Sequence, residues 1–259
     1  MRMGILGVGD LTEKIVAGFY RAQTAAEIIL SPRNAARAEK LRDAYGCQVA
    51  KSNQSVVDRA DNLIVGVRPD ALPQLASEII LRPGQTVISL VAGVSIPHLQ
   101  ALFRHDRIIR MMLTYAAEIN RSTVVLSAYE NEVVRYFSVL GEVTVLDTED
   151  AFELATVSMC MNGWFYHLAD GLQNWLLEKG MAQNDARALV LGAMRDCAEY
   201  AGHNSQKPLG TMLKAIATEG TYTAQGVDIL EQQRSLQPWI DAANKVSESL
   251  TASQLSSKK

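Results

Sequence analysis

Cysteine is scarce in this chain: Cys47, Cys160 and Cys197 are the only three, and no CxxC pair occurs among them. That excludes a disulfide framework and a cysteine-built zinc site. It fits a reducing compartment, so a cytoplasmic protein is expected. The four histidines, His98, His105, His167 and His203, share no metal-ligand spacing, so no metal site is expected. Neither sign of charge is in excess: 25 Lys and Arg against 28 Asp and Glu leave a net charge of −3. No basic field therefore stands ready for nucleic acid or an anionic membrane. The longest apolar stretch, Leu154 to Leu177, is broken by Asn162, His167, Asp170, Gln173 and Asn174. It is a poor membrane span and reads as a helix buried at a subunit interface. The opening MRMGILGVGDL has neither the long apolar region nor the small-residue cleavage site of a targeting segment.

What remains is globular. The chain has 259 residues, 48% hydrophobic and 20% charged, enough for one large or two ordinary domains with a core of their own. Short apolar runs at Met3–Leu6, Glu27–Leu30, Asn62–Val67, Gln85–Leu90, Arg107–Met111, Thr123–Ser127 and Glu142–Val145 read as strands. Helical patterns at Leu11–Arg21, Asn34–Ala44, Asn53–Ala60, Ala71–Ile80, Ile96–Phe103 and Asn131–Leu140 alternate with them. Such alternation implies βαβ units with right-handed crossovers and a mainly parallel sheet. Beyond Asp147–Asp150 the strands stop. Leu154, Val157, Met161, Phe165, Leu168, Leu172 and Trp175 then form an apolar stripe along Phe152–Lys179. Asn184 and Asp185 offer a start for a helix over Ala186–Ala201, and Gly202 a stop. Pro208 opens another to about Thr218, and shorter ones follow at Thr223–Gln233 and Pro238–Leu250. The expected fold class is α/β: a Rossmann-type doubly wound sheet over residues 1–148, then an all-α dimerisation and substrate domain over 149–259.

The motif that carries chemistry is Gly7-Val8-Gly9-Asp10-Leu11-Thr12, between the first strand and the first helix. In a dinucleotide-binding turn the first glycine permits the bend and the second admits the pyrophosphate. The third position must be small so that helix and strand pack closely. Here Thr12 fills that third position. The pyrophosphate would lie on the free amides at the helix start. After the second strand comes Ser31-Pro32-Arg33-Asn34, with Arg37 one turn on and no carboxylate at the strand end. Ser31 can donate a hydrogen bond and Arg33 a charge-assisted pair to a 2′-phosphate, which favours NADP(H) over NAD(H). The bland alternative is that Arg33 and Arg37 merely solvate a helix start.

Taken together these residues resemble the pyrroline-5-carboxylate reductase family, which reduces a cyclic imine with NADPH to make proline. MGILGVGDLTEKIVAGF resembles the family's first strand and turn, with Asp10-Leu11-Thr12 where the family has Asn-Met-Ala. The resemblance implies that Val67-Arg68-Pro69 passes near the cofactor ribose. It likewise places Ala92 and Gly93, in ISLVAGV, beside the nicotinamide, and Asn53 at the adenosine ribose. Gly180 to Ala186 resembles the family's junction between α-domain helices. Met112-Leu113-Thr114-Tyr115 replaces the family's Pro-Asn-Thr-Pro, and Ser158 to Trp164 departs from its Ser-Gly-Ser-Gly-Pro-Ala-Tyr. Thr218-Glu219-Gly220-Thr221-Tyr222-Thr223 keeps only Gly220 and Thr223 of the segment that binds the substrate carboxylate in the family.

Hydride transfer to an imine asks little acid–base work of the protein, because the cofactor carries the hydride. One hydroxyl near the imine nitrogen suffices, and the resemblance gives that place to Thr223, whose bland role is a helix N-cap. Tyr115 and Tyr222 are candidates for further donors, their bland role being half-buried packing. His167 and Asp170 read as an ordinary surface pair and Cys160 as a packing residue. Met159, Met161, Trp164 and Trp175 either line an enlarged apolar pocket or form interface core. The expected partners are a small imine substrate and a second copy of this chain, in a homodimer or larger homo-oligomer through the α domain. A non-catalytic NADPH-binding sensor or assembly protein is the competing reading, motivated by the lost Pro-Asn and Pro-Gly-Gly segments. A β-hydroxyacid dehydrogenase would need a lysine on the long helix, and none lies between Lys51 and Lys179.

Overall fold

The computed structural model describes residues 2–24 and 26–256. By internal contact these fall into two units. One runs to Met159 and resumes at Val246; the other is Cys160–Lys245.

In the first unit the strands are β1 (Arg2–Leu6), β2 (Glu27–Leu30), β3 (Gln48–Val49), β4 (Asn62–Val65), β5 (Thr86–Ser89), β6 (Ile108–Leu113), β7 (Ser122–Leu126) and β8 (Gly141–Val145). They form a single sheet in the order β3-β2-β1-β4-β5-β6-β7-β8. Every neighbouring pair is parallel except β6 with β7. The expected doubly wound sheet is therefore present, with the two-residue β3 as an addition. So short a strand carries too little pattern to be read from sequence.

The helices of this unit are α1 (Asp10–Arg21), α2 (Ala35–Tyr45), α3 (Asn53–Arg59), α4 (Leu72–Glu78), α5 (Ile96–Phe103) and α6 (Asn131–Phe137). Side chains alternate across the sheet, as the two-residue period requires. Met3, Ile5, Ile64, Ile88 and Ile109 join the α1 side of the core with Ile15, Val16 and Phe19. Leu6, Leu63, Val65 and Val87 join the opposite side with Val56, Val57, Leu72 and Leu99. Each such side chain, fully buried, contributes about 1.5–3 kcal/mol of transfer free energy.

The long helix α7 (Glu149–Glu178) is anchored at its start by a buried cation. Arg110 of β6 is wholly buried. Its Nη1 lies 2.8 Å from Glu149 Oε2 and 2.6 Å from Glu153 Oε1. Its guanidinium stacks 4.5 Å from the Phe152 ring centroid. Glu149 Oε1 also accepts the Ile96 N–H at the start of α5, at 2.9 Å. One carboxylate thus links β6, α5 and α7.

The second unit continues α7 and adds α8 (Gln183–His203), α9 (Leu209–Ile216) and α10 (Tyr222–Gln232), with α11 (Gln237–Ser256) returning to the first unit from Val246 onward. Gly180, at φ +91°, closes α7 with the Met181 N–H on the Leu176 carbonyl, the geometry a C-terminal glycine permits. Several expected boundaries shift, the furthest at α11, which runs on to Ser256 where an end at Leu250 was expected. The cap of α8 is Ala182, so Asn184 and Asp185 lie inside its first turn, where an acid complements the helix dipole. The helix also runs through Gly202 and ends at His203. Trp239 packs against Trp164 and Phe165, with ring centroids 6.3 and 5.7 Å away. Phe165, Leu168, Leu172 and Trp175, most of the apolar stripe on α7, stay exposed on the single chain.

Candidate functional site

The strand order reverses direction at β1, and in an open parallel sheet the crevice at such a switch point binds ligands. A cleft of about 470 Å³ lies there, lined by Gly7, Val8 and Gly9 after β1, Arg33, Asn34 and Ala35 after β2, and Gly66 to Arg68, Asp70 and Ala71 after β4. A small adjoining cavity is lined by Gly7, Ser31, Arg33, Asn53, Val67, Leu75 and Glu78.

The turn is built as the glycine pattern requires. Gly7 has φ +94°, and a Cβ on it would stand 2.7 Å from Val67 Cγ1 and 2.8 Å from the Gly66 carbonyl carbon. Gly9 caps α1, and the first intrahelical bond is from Glu13 N to Gly9 O at 3.0 Å. The amides of Asp10, Leu11 and Thr12 therefore have no carbonyl within the helix and remain as donors at its positive end. Thr12, 1% exposed, is a brace. Its Oγ1 accepts the Gly9 N–H at 2.8 Å and lies 3.1 and 3.0 Å from the carbonyls of Gly7 and Gly9. Its methyl group is accommodated because Gly66 faces it, where a Cβ would meet Thr12 Cγ2 at 2.6 Å. The space saved by a small third residue in the usual turn is here saved on the other side of the contact. Sequence reasoning missed Gly66; its signal was a glycine directly behind an apolar strand.

The other expected contacts divide. Arg33 is exposed, lines both cavities and has no carboxylate partner among the described residues. Arg37 is engaged, 2.6 Å from Asp10 and 3.5 Å from Glu13. Ser31 is wholly buried and its Oγ accepts the Gly7 N–H at 3.1 Å, so it braces the turn from behind instead of standing open to a phosphate. Asn34 ties the same loop to the turn through Nδ2 on the Val8 carbonyl, at 3.2 Å. Asn53 lines the small cavity, but its Nδ2 is held by Glu78 Oε2 at 2.6 Å. Val67 and Arg68 line the cleft, while Pro69 opens the helical turn behind them. Ala92 and Gly93 follow β5 and lie outside both cavities; Gly93, at φ +70°, faces Leu250 and Ser253 of α11.

In the second unit the expected cap is displaced. Thr221, not Thr223, caps α10, its Oγ1 accepting the Ala224 N–H at 3.1 Å. Thr223 is the second residue of that helix and exposed. Glu219 is exposed just ahead of it, and Tyr222 is 90% exposed. Asp170 pairs with Asn174 Nδ2 at 3.2 Å rather than with His167. Among the described residues no group of His, Cys, Asp and Glu could hold a metal ion. No helix among them is long and apolar enough to cross a membrane.

Comparison with known proteins matches two stretches of the chain. A family model described as NADP oxidoreductase, coenzyme F420-dependent, matches residues 2–93. A second, pyrroline-5-carboxylate reductase dimerisation, matches residues 149–251. The pyrroline-5-carboxylate reductase of Synechocystis sp. is 25% identical over 244 residues, covering 90% of each chain. A pyrroline-5-carboxylate reductase structure from Streptococcus pyogenes superposes with a TM-score of 0.86 at 22% identity, covering 97% of this chain and 98% of that one. The Plasmodium falciparum enzyme, solved with NADP bound, gives 0.85 at 17% identity over 98% of both chains. The chain is thus similar over about nine-tenths of its length to pyrroline-5-carboxylate reductases, and its residues 149–251 match the dimerisation domain of that family.

Proposed function

We propose that this chain is an NADP(H)-dependent reductase that transfers hydride to the C=N bond of a cyclic imino acid or related imine. One observation carries the cofactor assignment: the open amides at the start of α1 and Arg33, which has no carboxylate partner among the described residues, line or adjoin one cleft at the switch point of the sheet. The residues suit the group. Gly7 and Gly66 keep the cradle free of side chains, the amides of Asp10 to Thr12 suit a diphosphate, and Arg33 suits a 2′-phosphate. Once bound, the nicotinamide supplies the hydride.

Residues 1–148 bind the cofactor in this reading, and 149–259 form the dimerisation and substrate domain. Thr223 holds the imine nitrogen. Its hydroxyl is not consumed by capping, since Thr221 performs that task. A homodimer would cover the exposed stripe on α7. Three free thiols suit the cytoplasm.

The test is titration of wild type and Arg33→Ala with NADPH and NADH, followed by NADPH oxidation against cyclic imino acids and larger imines. Tight NADPH binding lost selectively in the variant, with turnover of at least one imine, is expected. Binding without turnover would turn the assignment to a non-catalytic NADPH-binding protein, the reading motivated by the lost Pro-Asn and Pro-Gly-Gly segments. No binding of either nucleotide would refute the cofactor assignment.

A further inference from the structure

Arg33 and Arg37 stand one helical turn apart and look interchangeable in sequence. Their surroundings separate them. Asp10 occupies the first position of α1, beside the open amides, and its carboxylate is 65% exposed. An anion there helps the helix dipole but opposes any diphosphate arriving at the same amides. Arg37 Nη2 lies 2.6 Å from Asp10 Oδ1, and Arg37 Nη1 lies 3.5 Å from Glu13 Oε2. Lys40 Nζ completes the set, 2.6 Å from Glu13 Oε1. Two carboxylates on α1 are thus matched by two cations on α2, and Arg33 stands outside the set.

We propose that Arg37 is a positioning residue for the cofactor: by neutralising Asp10 it lets the glycine turn accept a diphosphate, leaving Arg33 as the cation that selects the 2′-phosphate. The inference rests on reading the cleft as the NADP(H) site. The two arginines then leave different signatures. Arg33 acts on a group that NADPH has and NADH lacks. Arg37 acts, through Asp10, on the diphosphate that both share. One uncompensated charge beside a diphosphate weakens binding on the order of tenfold at low salt, and less as salt screens it.

The experiment is equilibrium titration of the full chain with NADPH and with NADH, at low and physiological ionic strength. Wild type, Arg33→Ala, Arg37→Ala, Asp10→Asn and the Asp10→Asn/Arg37→Ala double variant are compared, each checked for folding by its thermal melt. Arg37→Ala is expected to weaken both nucleotides by about tenfold at low salt, with the loss shrinking as salt rises. Asp10→Asn should tighten both, and the double variant should recover wild-type affinity or better. The Asp10→Asn arm stands even if Arg37→Ala does not fold. Loss of NADPH alone in Arg37→Ala would make Arg37 a 2′-phosphate ligand and overturn the proposal. Failure of Asp10→Asn to tighten either nucleotide, or to rescue Arg37→Ala, would overturn it as well. Wild type that binds neither nucleotide would remove the underlying reading, an outcome judged on a different protein from the variants that judge this inference.

Discussion

Replacing Gly66 by alanine should damage the fold and the cofactor site together, and the damage should be reversible from across the contact. The added Cβ would sit 2.6 Å from Thr12 Cγ2 and 3.2 Å from the Gly7 carbonyl oxygen. Neither neighbour can yield. Thr12 is β-branched, 1% exposed, and held by its hydroxyl to the Gly9 N–H, so rotating the methyl away breaks the brace. The Gly7 carbonyl belongs to the turn itself. Overpacking of this kind costs about 1–3 kcal/mol, and a chain of this size loses about 2–4 °C of Tm per kcal/mol. A drop of about 2–12 °C is therefore expected on the same two principles, together with weaker binding of NADPH and NADH alike.

Thr12→Ser keeps the hydroxyl and deletes the offending methyl, and alone should cost about 0.8 kcal/mol, the value of one buried methyl group. Combined with Gly66→Ala it should regain most of the loss, because the new methyl fills the volume the old one vacates. Thermal melts and nucleotide titrations of the four proteins form a double-mutant cycle, with an expected coupling of about 1–2 kcal/mol in favour of the pair. Additive effects of the two substitutions, or a Gly66→Ala protein indistinguishable from wild type, would refute the claim that Gly66 makes room for Thr12.

Arg110→Ala strands Glu149 and Glu153 near the start of α7 and should cost about 3–5 kcal/mol, read by chemical denaturation. Thr221→Ala should lower stability by about 1 kcal/mol through loss of the α10 cap, whereas Thr223→Val should leave the melt unchanged and depress imine turnover. Burial raises the Cys47 thiol from 9.0 to about 11. Because the folded protein holds that proton more tightly than the unfolded chain, the associated stability is intact below about pH 9 and drains away as pH rises toward 11. Cys47→Ala should flatten that alkaline limb in denaturation measured across pH, and in the native wild type Cys47 should resist alkylation at pH 8.

Much of this architecture was legible from periodicity. The strands of the sheet announce themselves as apolar runs because both faces are covered, and β2 and α5 begin and end at the residues expected. The switch-point cleft follows from the glycine turn once β1 is taken as the first strand. Errors cluster where local chemistry has two solutions. Thr221 and Thr223 can each cap a helix, and the choice falls to Thr221 because Gly220, at φ +84°, turns the chain just before it. Ser31 reads as a phosphate donor along the chain, but the fold brings the Gly7 amide to its oxygen, and a buried amide must find an acceptor. Arg110 gave no signal at all: its partners lie some forty residues downstream, one in the stretch read as the domain boundary and one just inside the long helix.

The glycine turn shows why such features resist a residue-by-residue reading. Judged singly, Thr12 and Asp10 are both losses: one too large for the packing, the other of the wrong charge for a diphosphate. In the fold each stands against a residue that offsets it, Gly66 for the volume of Thr12 and Arg37 for the charge of Asp10. Substitutions in contact do not add, so the effect of either half says little about the pair. Glu219 differs in kind. It is exposed, and no cation pairs with it among the described residues. The altered cofactor turn therefore predicts preserved binding, while the altered loop before α10 predicts a changed preference among imines. For that reason the imine panel has to include substrates without a carboxylate, and nucleotide affinity has to be measured separately from turnover.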